Sequence, residues 1–522
     1  MRAGAVERAW ELFVGEGHDA RANDPSVQTV RGRLLKARAR LASGDARTAL
    51  FGEAAAAYAA AHAHNPAPYL AINAATLYLL AGNDDAARTG ASQVLTTLDG
   101  PVVPADTPYY LAATRAEACF LLGDRDAAER AMQDATRHDP DGWSDRATTI
   151  AQLREIAQAR GESTDWLDRF APPASLHFAG HMGLAASGQC QADLAAEVDK
   201  LIEHERIGFA WGALAAGSDV VIAERLLAAG AELHIVLPCG AEQFEAQSVA
   251  PAGPAWQERY RAVLAHAASL RFAASDPGAV HDPLATAHAG ELAIGATLLN
   301  ATALAAACCQ LIVTDSDGGG RNTAHQAAMW PGEAGRQLRL TIDRDTRIEA
   351  LFPPEQPDPH RALVVHVAIA LDELTRTTSL DSSAIAARVA PIAEALAGID
   401  RARVRSSPGR WDLAIDNVDA ALETILKVLA RCRAAGLTPP SIGAHVAIAS
   451  LIEDPASGAL VPYGPGRALA ARLQAMAPTG LALISDALAV TMVARGIVSS
   501  RSELYHAGDE DTDGAVHVLL KA

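Results

Sequence analysis

The sequence predicts a multidomain chain: an all-α helical repeat, then an α/β region on a parallel sheet, then an α+β region. Three observations predict it. Ala-rich segments with helical spacing fill residues 1–170, and short apolar runs alternating with helical stretches begin after Pro172-Pro173. A charged, proline-rich stretch then precedes a third region with a different order of strands and helices. At 522 residues the chain is too long for one hydrophobic core. Half of it is apolar and a fifth charged, an ordinary globular composition that excludes wholesale disorder.

In residues 1–170 three segments resemble one another. Leu41-Ala-Ser-Gly44-Asp45 is followed by Ala49, Leu80-Ala-Gly82-Asn83 by Ala87, and Leu121-Leu-Gly123-Asp124 by Ala128. The turn glycines lie 38 and 41 residues apart. Each is followed five positions later by an Ala, small enough for a second helix to pack closely. Gly or Asn permits the left-handed exit of the first helix, the logic of a helix-turn-helix repeat. The pattern resembles tetratricopeptide repeats, whose period is about 34 residues. Ala71-Ile-Asn-Ala-Ala-Thr76 and Ala112-Ala-Thr-Arg-Ala-Glu-Ala118 also resemble the bacterial TRAF-binding-type helical domain. An ordinary helical bundle is the alternative. Either implies a scaffold that recruits a protein partner.

From 174 to 343 strands and helices alternate. Leu176-His-Phe-Ala179 reads as a strand, Gly180-His-Met-Gly183 as a loop and Asp193–Glu205 as a helix. Phe209–Leu214 is the next strand, running into Ala215-Ala-Gly217-Ser218-Asp219 and a helix through Glu224 to Ala229. Glu232–Leu237 follows, and a last strand, Gln310–Thr314, ends in Asp315-Ser-Asp-Gly318-Gly319-Gly320. Such alternation builds a parallel sheet whose ligands bind beyond the carboxyl ends of the strands. Glycine lets a backbone amide approach an oxyanion, and a helix N-terminus adds favourable partial charge, so the chemistry suggested is phosphate binding.

The region resembles the Rossmann-like SLOG superfamily. The resemblance rests on Phe178-Ala-Gly-His181, on Ala216-Gly-Ser-Asp219 with Ala223-Glu224, on Leu237-Pro238 followed by Phe244, Ser248-Val249, Trp256 and Arg259-Tyr260, and on Gly319-Gly-Arg-Asn-Thr323 in place of GGxGT. It implies a nucleotide or NAD-derived phosphate ligand held by Gly180, His181, Gly183, Gly217, Ser218, Asp219, Gly318, Gly319, Gly320 and Thr323. Where the cytokinin-activating branch has catalytic glutamates after GGxGT, this chain has Ala324-His325-Gln326. Binding is therefore expected rather than phosphoribohydrolase turnover, with Glu224 or Asp219 as acid or base in the alternative of a hydrolase. The plainer alternatives are turn glycines, a capping residue at His181, a helix cap at Asp219, and a solvated side chain or half of an ion pair at Glu224.

Residues 344–360, with Pro353, Pro354, Pro357 and Pro359, read as a linker resisting regular structure. Residues 361–522 resemble an α+β, ferredoxin-like class III nucleotide cyclase domain. Arg361–Val367 matches its first strand, Trp411–Ala414 with Asp419–Ala421 the region of its second metal aspartate, Ser441-Ile-Gly-Ala-His445 its RIGLHxG strand, and Tyr463-Gly464 with Ala470-Ala-Arg472-Leu473 its YG…VNxAARL helix. Ala477–Gly480, Ile484-Ser485 and a closing hairpin from Gly508 to Leu520 complete it. Such cyclases use two aspartates and two metal ions to activate the ribose hydroxyl. Here the first metal position falls on His366 or Val367 and the second on Leu413, with Asp412 reaching it only by a one-residue deletion; the ribose Asn is Ala468, and Arg472 alone remains. The resemblance thus implies a catalytically degenerate domain that dimerises, with itself or with an active partner, and needs Mg²⁺ only if it is active. Arg472 is otherwise a surface residue and His366 a core one.

A formal charge of −18, from 44 basic and 62 acidic residues, disfavours nucleic acid and anionic membranes as partners. The six cysteines form no CxxC pair. Charges interrupt any apolar run in residues 1–20, and Leu292–Val313 reads as a buried helix running into a strand. A cytoplasmic protein is the expectation.

Overall fold

The computed structural model describes residues 6–21, 23–101, 105–184, 188–274, 282–316, 320–333, 335–343, 345–352, 357–371, 374, 381–400, 403–455, 458–497, 502–506 and 514–519. They fall into two compact units, one of residues 3–172 and one of nearly all of 173–522.

The first unit is all helical: α1 (Val6–Gly15), α2 (Pro25–Leu41), α3 (Gly44–His64), α4 (Pro68–Leu80), α5 (Asp84–Leu98), α6 (Pro108–Leu121), α7 (Arg125–His138) and α8 (Trp143–Arg160). Two turns do what their sequence predicts. After α4, Gly82 takes a φ of 81°, and the amides of Gly82 and Asn83 bond back to Leu79 and Tyr78. Asn83 then accepts from the Ala86 amide at 3.1 Å and caps α5, so one dipeptide closes one helix and opens the next. Gly123-Asp124 repeats this between α6 and α7. Behind these turns Ala87 and Ala128 are fully buried.

The first segment departs from the pattern. Ala49 is exposed, because α3 begins at Gly44 itself and not two residues after it. Ala49 is thereby displaced by two positions along its helix, roughly 200° of rotation. Between α2, α4, α6 and α8 lies a buried polar cluster: Lys36 donates to Asn73 (3.1 Å) and Gln152 (3.4 Å), while Gln152 and Thr76 donate to Glu117. Burial pushes the Lys36 ammonium down to about 8 and raises the Glu117 carboxyl.

The second unit carries two sheets. In the first, β1 (Ala174–Ala179), β2 (Ile207–Gly212), β3 (Glu232–Leu237), β4 (Ser269–Phe272), β5 (Cys308–Thr314) and β6 (Arg336–Thr341) lie in the order β4-β3-β2-β1-β5-β6. Every pairing is parallel. The helices between them are α9 (Gln189–Glu205), α10 (Ser218–Ala228), α11 (Ala241–Ser248), α12 (Pro254–His266), α13 (Pro283–Leu304) and α14 (Arg321–Met329). The strand order runs outward from β1 to β4 and then returns to β5 beside β1, so the crevice between the carboxyl ends of β1 and β5 is the switch point where ligands bind. The strand read as last, β5, is followed by β6, and the expected linker contains a short helix, α15 (Thr346–Glu349). The Asp345 amide donates to the Gly183 carbonyl at 2.8 Å and ties this segment to the loop after β1. Pro353 and Pro354 lie outside the described residues, as do Gly318 and Gly319.

The second sheet contains β7 (Arg361–Ala370), β8 (Val404–Ser407), β9 (Arg410–Ile415), β10 (Ser441–Glu453), β11 (Leu460–Tyr463), β12 (Ala482–Ser485), β13 (Ser502–His506) and β14 (Val516–Leu519). With α16 (Ser382–Leu396) and α17 (Val418–Ala434), the first four strands make a β-α-β-β-α-β unit in the order β10-β7-β9-β8. That is the ferredoxin-like arrangement that the resemblance implies for this region. Two more helices follow, α18 (Gly466–Met476) and α19 (Asp486–Ala494). The closing hairpin pairs β13 with β14, and Gly508 lies outside the described residues.

The two sheets are joined by close packing. Ile294 and Leu298 of α13 bury against Val493 and Ala494 at the end of α19, and a Cβ added at Gly295 would lie 1.9 Å from the Val490 carbonyl oxygen. Arg271–Asp486 (2.7 Å), Arg495–Glu291 (2.9 Å) and the buried Arg361–Asp282 pair (3.4 Å) bracket that contact. Among the described residues no helix is long and apolar enough to cross a membrane.

Candidate functional site

A cavity of about 370 Å³ opens over the carboxyl ends of β1, β2, β3 and β5. The loop after β1 supplies Gly180, His181 and Met182, and the start of α14 supplies Gly320, Arg321, Asn322 and Thr323. Val236, Pro238, Cys239, Phe244, Ala289 and Ala293 give it an apolar side. Glu349 and Phe352 reach it from the segment expected to be a linker. Its position is the switch point that the strand order dictates.

Hydrogen bonds hold the polar side in place. The two carboxylate oxygens of Asp219 accept from the amides of Gly180 (2.9 Å) and Ala215 (3.2 Å), pinning the loops after β1 and β2 to the start of α10. Burial pushes the Asp219 carboxyl up to about 7, against the pull of these amides. Thr323 Oγ1 donates to the Gly180 carbonyl at 3.0 Å and fixes the first turn of α14 against the same loop. Gly217, at a φ of 119°, lies under the His181 carbonyl, where a Cβ would come within 2.9 Å of that oxygen. A Cβ at Gly180 would meet that of Ser218 at 2.3 Å.

Two buried polar atoms here have no hydrogen-bond partner: His181 Nδ1 and Ser218 Oγ. His181 Nε2 lies 3.0 Å from the Ile342 carbonyl, which only accepts, so that nitrogen donates there and Nδ1 is left without a protein partner. Of the two residues His181 lines the cavity, and an orphaned group on a cavity wall is where a ligand's polar atom belongs.

The residues expected to bind ligand thus divide. Gly180, His181, Asp219, Gly320 and Thr323 line the cavity, whereas Gly183, Gly217 and Ser218 support the lining from behind. Gly318 and Gly319 lie outside the described residues. Glu224 does not line the cavity: it forms a bidentate ion pair with Arg259 (2.6 and 2.7 Å). Sequence reasoning missed the apolar side and Gln326. Gln326 lines the cavity, and its Oε1 accepts from His177 Nε2 at 3.1 Å. Gln310 donates to His177 Nδ1 at 3.1 Å, which completes a neutral imidazole under the sheet.

On the second sheet, His366 of β7 stands directly opposite His445 of β10. Both are buried, and His445 Nδ1 lies 2.8 Å from Ser485 Oγ. Asp412 faces Ala368 across the β7–β9 ladder and is held by Arg467 of α18 through Nη2 (2.6 Å) and Nε (3.2 Å). Arg472 and Asp412 do not meet: Arg472 lines a separate cleft with Arg271, His288 and His445. Among the described residues no group of three or more His, Cys, Asp or Glu is placed to hold a metal ion.

No family model matches the sequence, and no curated protein matches it. Among solved structures, the chain is similar to the guanylate cyclase domain of RhGC from Catenaria anguillulae (12% identity, covering 30% of this chain and 94% of that one, TM-score 0.24). It is also similar to the catalytic core of a rhodopsin-guanylyl cyclase with converted specificity (11%, 31% and 96%, TM-score 0.25) and to the adenylyl cyclase CyaB from P. aeruginosa (11%, 31% and 95%, TM-score 0.24).

The buried histidines predict acid lability. Burial pushes His177 and His445 down to about 3 and His366 to about 4, so the folded state refuses protons that the unfolded chain accepts below roughly 6.5. Stability is full above that pH and falls as the medium is acidified, by up to about 1.4 kcal/mol per pH unit for each of them. Asp219, raised above its unfolded value, opposes this as a single group. The denaturant midpoint of the second unit should therefore drop clearly between pH 7 and pH 5; a flat profile would contradict the neutral, buried imidazoles.

Proposed function

We propose that the protein is a nucleotide-sensing signalling or regulatory protein. In this reading the SLOG-like parallel sheet binds a nucleotide or NAD-derived phosphate ligand, a TPR-like helical unit recruits a protein partner, and a degenerate cyclase-like domain performs no turnover. The observation that carries the reading is the cavity at the switch point. Its phosphate side is built from the Gly180 loop and from the first turn of α14, where the positive end of the helix and Arg321 favour an anion. Its apolar side, with Phe244, suits a base.

Binding without turnover is supported by Gln326, an amide bonded to His177 at the place where the resembling enzymes carry a carboxylate. In the cyclase-like part, Arg467 holds Oδ2 of Asp412, the carboxylate that reaches the second metal position only by a one-residue deletion. One observation favours a second reading. The Asp219 carboxyl, titrating near neutrality on the cavity wall, would suit a SLOG-type hydrolase that cleaves a nucleotide glycosidic bond.

Titration calorimetry with NAD, ADP-ribose, ATP and AMP tests the binding. At least one should bind at one site per chain, and Arg321→Ala should weaken it about tenfold, as expected for loss of one charge-assisted phosphate contact. Absence of heat with all four, or no effect of Arg321→Ala, would count against the cavity. Chromatography of the same mixtures separates the readings, because a hydrolase releases free base or nicotinamide and a sensor returns the ligand intact.

A further inference from the structure

The second sheet carries a basic pocket that the cavity reading does not use. Strand alternation places Arg405 and Ser407 of β8, Arg410 and Asp412 of β9, and Ala368 of β7 on one face. The rows are direct: Arg405 opposes Asp412, which opposes Ala368, and Ser407 opposes Arg410. Arg467 of α18 closes the space from above, and the pocket so formed has a volume of about 450 Å³. Its lining holds three guanidinium groups and one carboxylate. On a chain of net charge −18, this is a local excess of positive charge with a small-residue floor.

Asp412 is already neutralised by Arg467, so the charges of Arg405 and Arg410 remain for a ligand. The local field agrees with this: after burial, Arg467 is the next cause of the depressed His366 titration. Guanidinium forks grip phosphate oxygens bidentately and stay charged at every relevant pH. The donor set offers a divalent metal one carboxylate, whose Oδ2 is held by Arg467, and offers a phosphate group two or three arginines.

We propose that this pocket binds the polyphosphate group of an anionic ligand directly through Arg405, Arg410 and Arg467, without a divalent metal. The inference is independent of the cavity over the parallel sheet. Asp412 opposes the bound anion and keeps Arg467 in place.

The test is calorimetry of the full chain carrying Arg321→Ala, in EDTA, with inorganic pyrophosphate and with ATP as probes. Both should bind. Equal affinity would show that the polyphosphate alone is recognised, and tighter ATP binding that a nucleoside adds contacts. The double substitution Arg405→Ala/Arg410→Ala, at exposed positions that leave the fold intact, should weaken pyrophosphate at least tenfold. Asp412→Asn should tighten it by roughly two- to fivefold, the size of one exposed charge interaction. No binding of either probe, binding that appears only with added Mg²⁺, an unaffected double variant, or weaker binding in Asp412→Asn would each overturn the proposal.

Discussion

Replacing Asp219 with Ala should lower the stability of the second unit by about 2–4 kcal/mol and abolish ligand binding to the cavity. The reason is local accounting of hydrogen bonds. The carboxylate takes the amides of Gly180 and Ala215, and Ala leaves both donors buried without an acceptor, at roughly 1–3 kcal/mol each. Asn retains one of the two bonds and should fall between Ala and the native residue. Urea denaturation gives the magnitude, and amide hydrogen exchange gives the location: protection at Gly180 and Ala215 should fall before that of the β1 core. An unchanged denaturation midpoint in Asp219→Ala would show that the loops are held by something else.

The second large effect is expected at Gly295, where α13 and α19 approach backbone to backbone. Ala is the better helix former by about 1 kcal/mol, so an open site would gain from Gly295→Ala. Here the added methyl would sit 1.9 Å from the Val490 carbonyl oxygen, an atom that cannot rotate aside. Overpacking costs about 1–3 kcal/mol or more, and a contact this short belongs at the upper end, for a net loss of about 2 kcal/mol. The joint between the two sheets should loosen, which thermal unfolding would register as a lower or a split transition. Gly52→Ala provides the internal comparison. A Cβ there meets only that of Ala81 at 3.8 Å, so the helical unit should gain stability. If both variants moved in the same direction, the close approach of the two helices would not be controlling the result.

Which features were legible in the sequence follows from burial. β1, β2, β3 and β5 are buried along most of their length and announce themselves as apolar runs. β4 (Ser-Leu-Arg-Phe) and β6 (Arg-Gln-Leu-Arg-Leu-Thr) are edge strands, and their exposure permits polar and charged residues that break the run. The short helix α15 was hidden by the prolines that follow it. Ala49 shows the limit of matching by offset alone: its glycine sits at the same place in the motif, but its helix starts two residues earlier in register, and the side chain turns to solvent.

The site was legible in its loops and not in its partners. Gly180, Asp219 and Thr323 could be picked from the chain because a post-strand glycine and a helix start have local signatures. Gln326 and His177 are 149 residues apart, Arg259 and Glu224 are 35 apart, and Arg467 and Asp412 are 55 apart. No local pattern joins such residues, yet these pairings decide which carboxylates are free for chemistry.

The central claim is that this chain binds nucleotide-type ligands without converting them through its C-terminal sheet. Product analysis tests it most directly: the purified full chain is incubated with ATP or GTP and Mn²⁺, and the mixture is resolved by chromatography. The account predicts that the triphosphate is recovered with no cyclic nucleotide. A cyclic product that disappears in Asp412→Asn would contradict it.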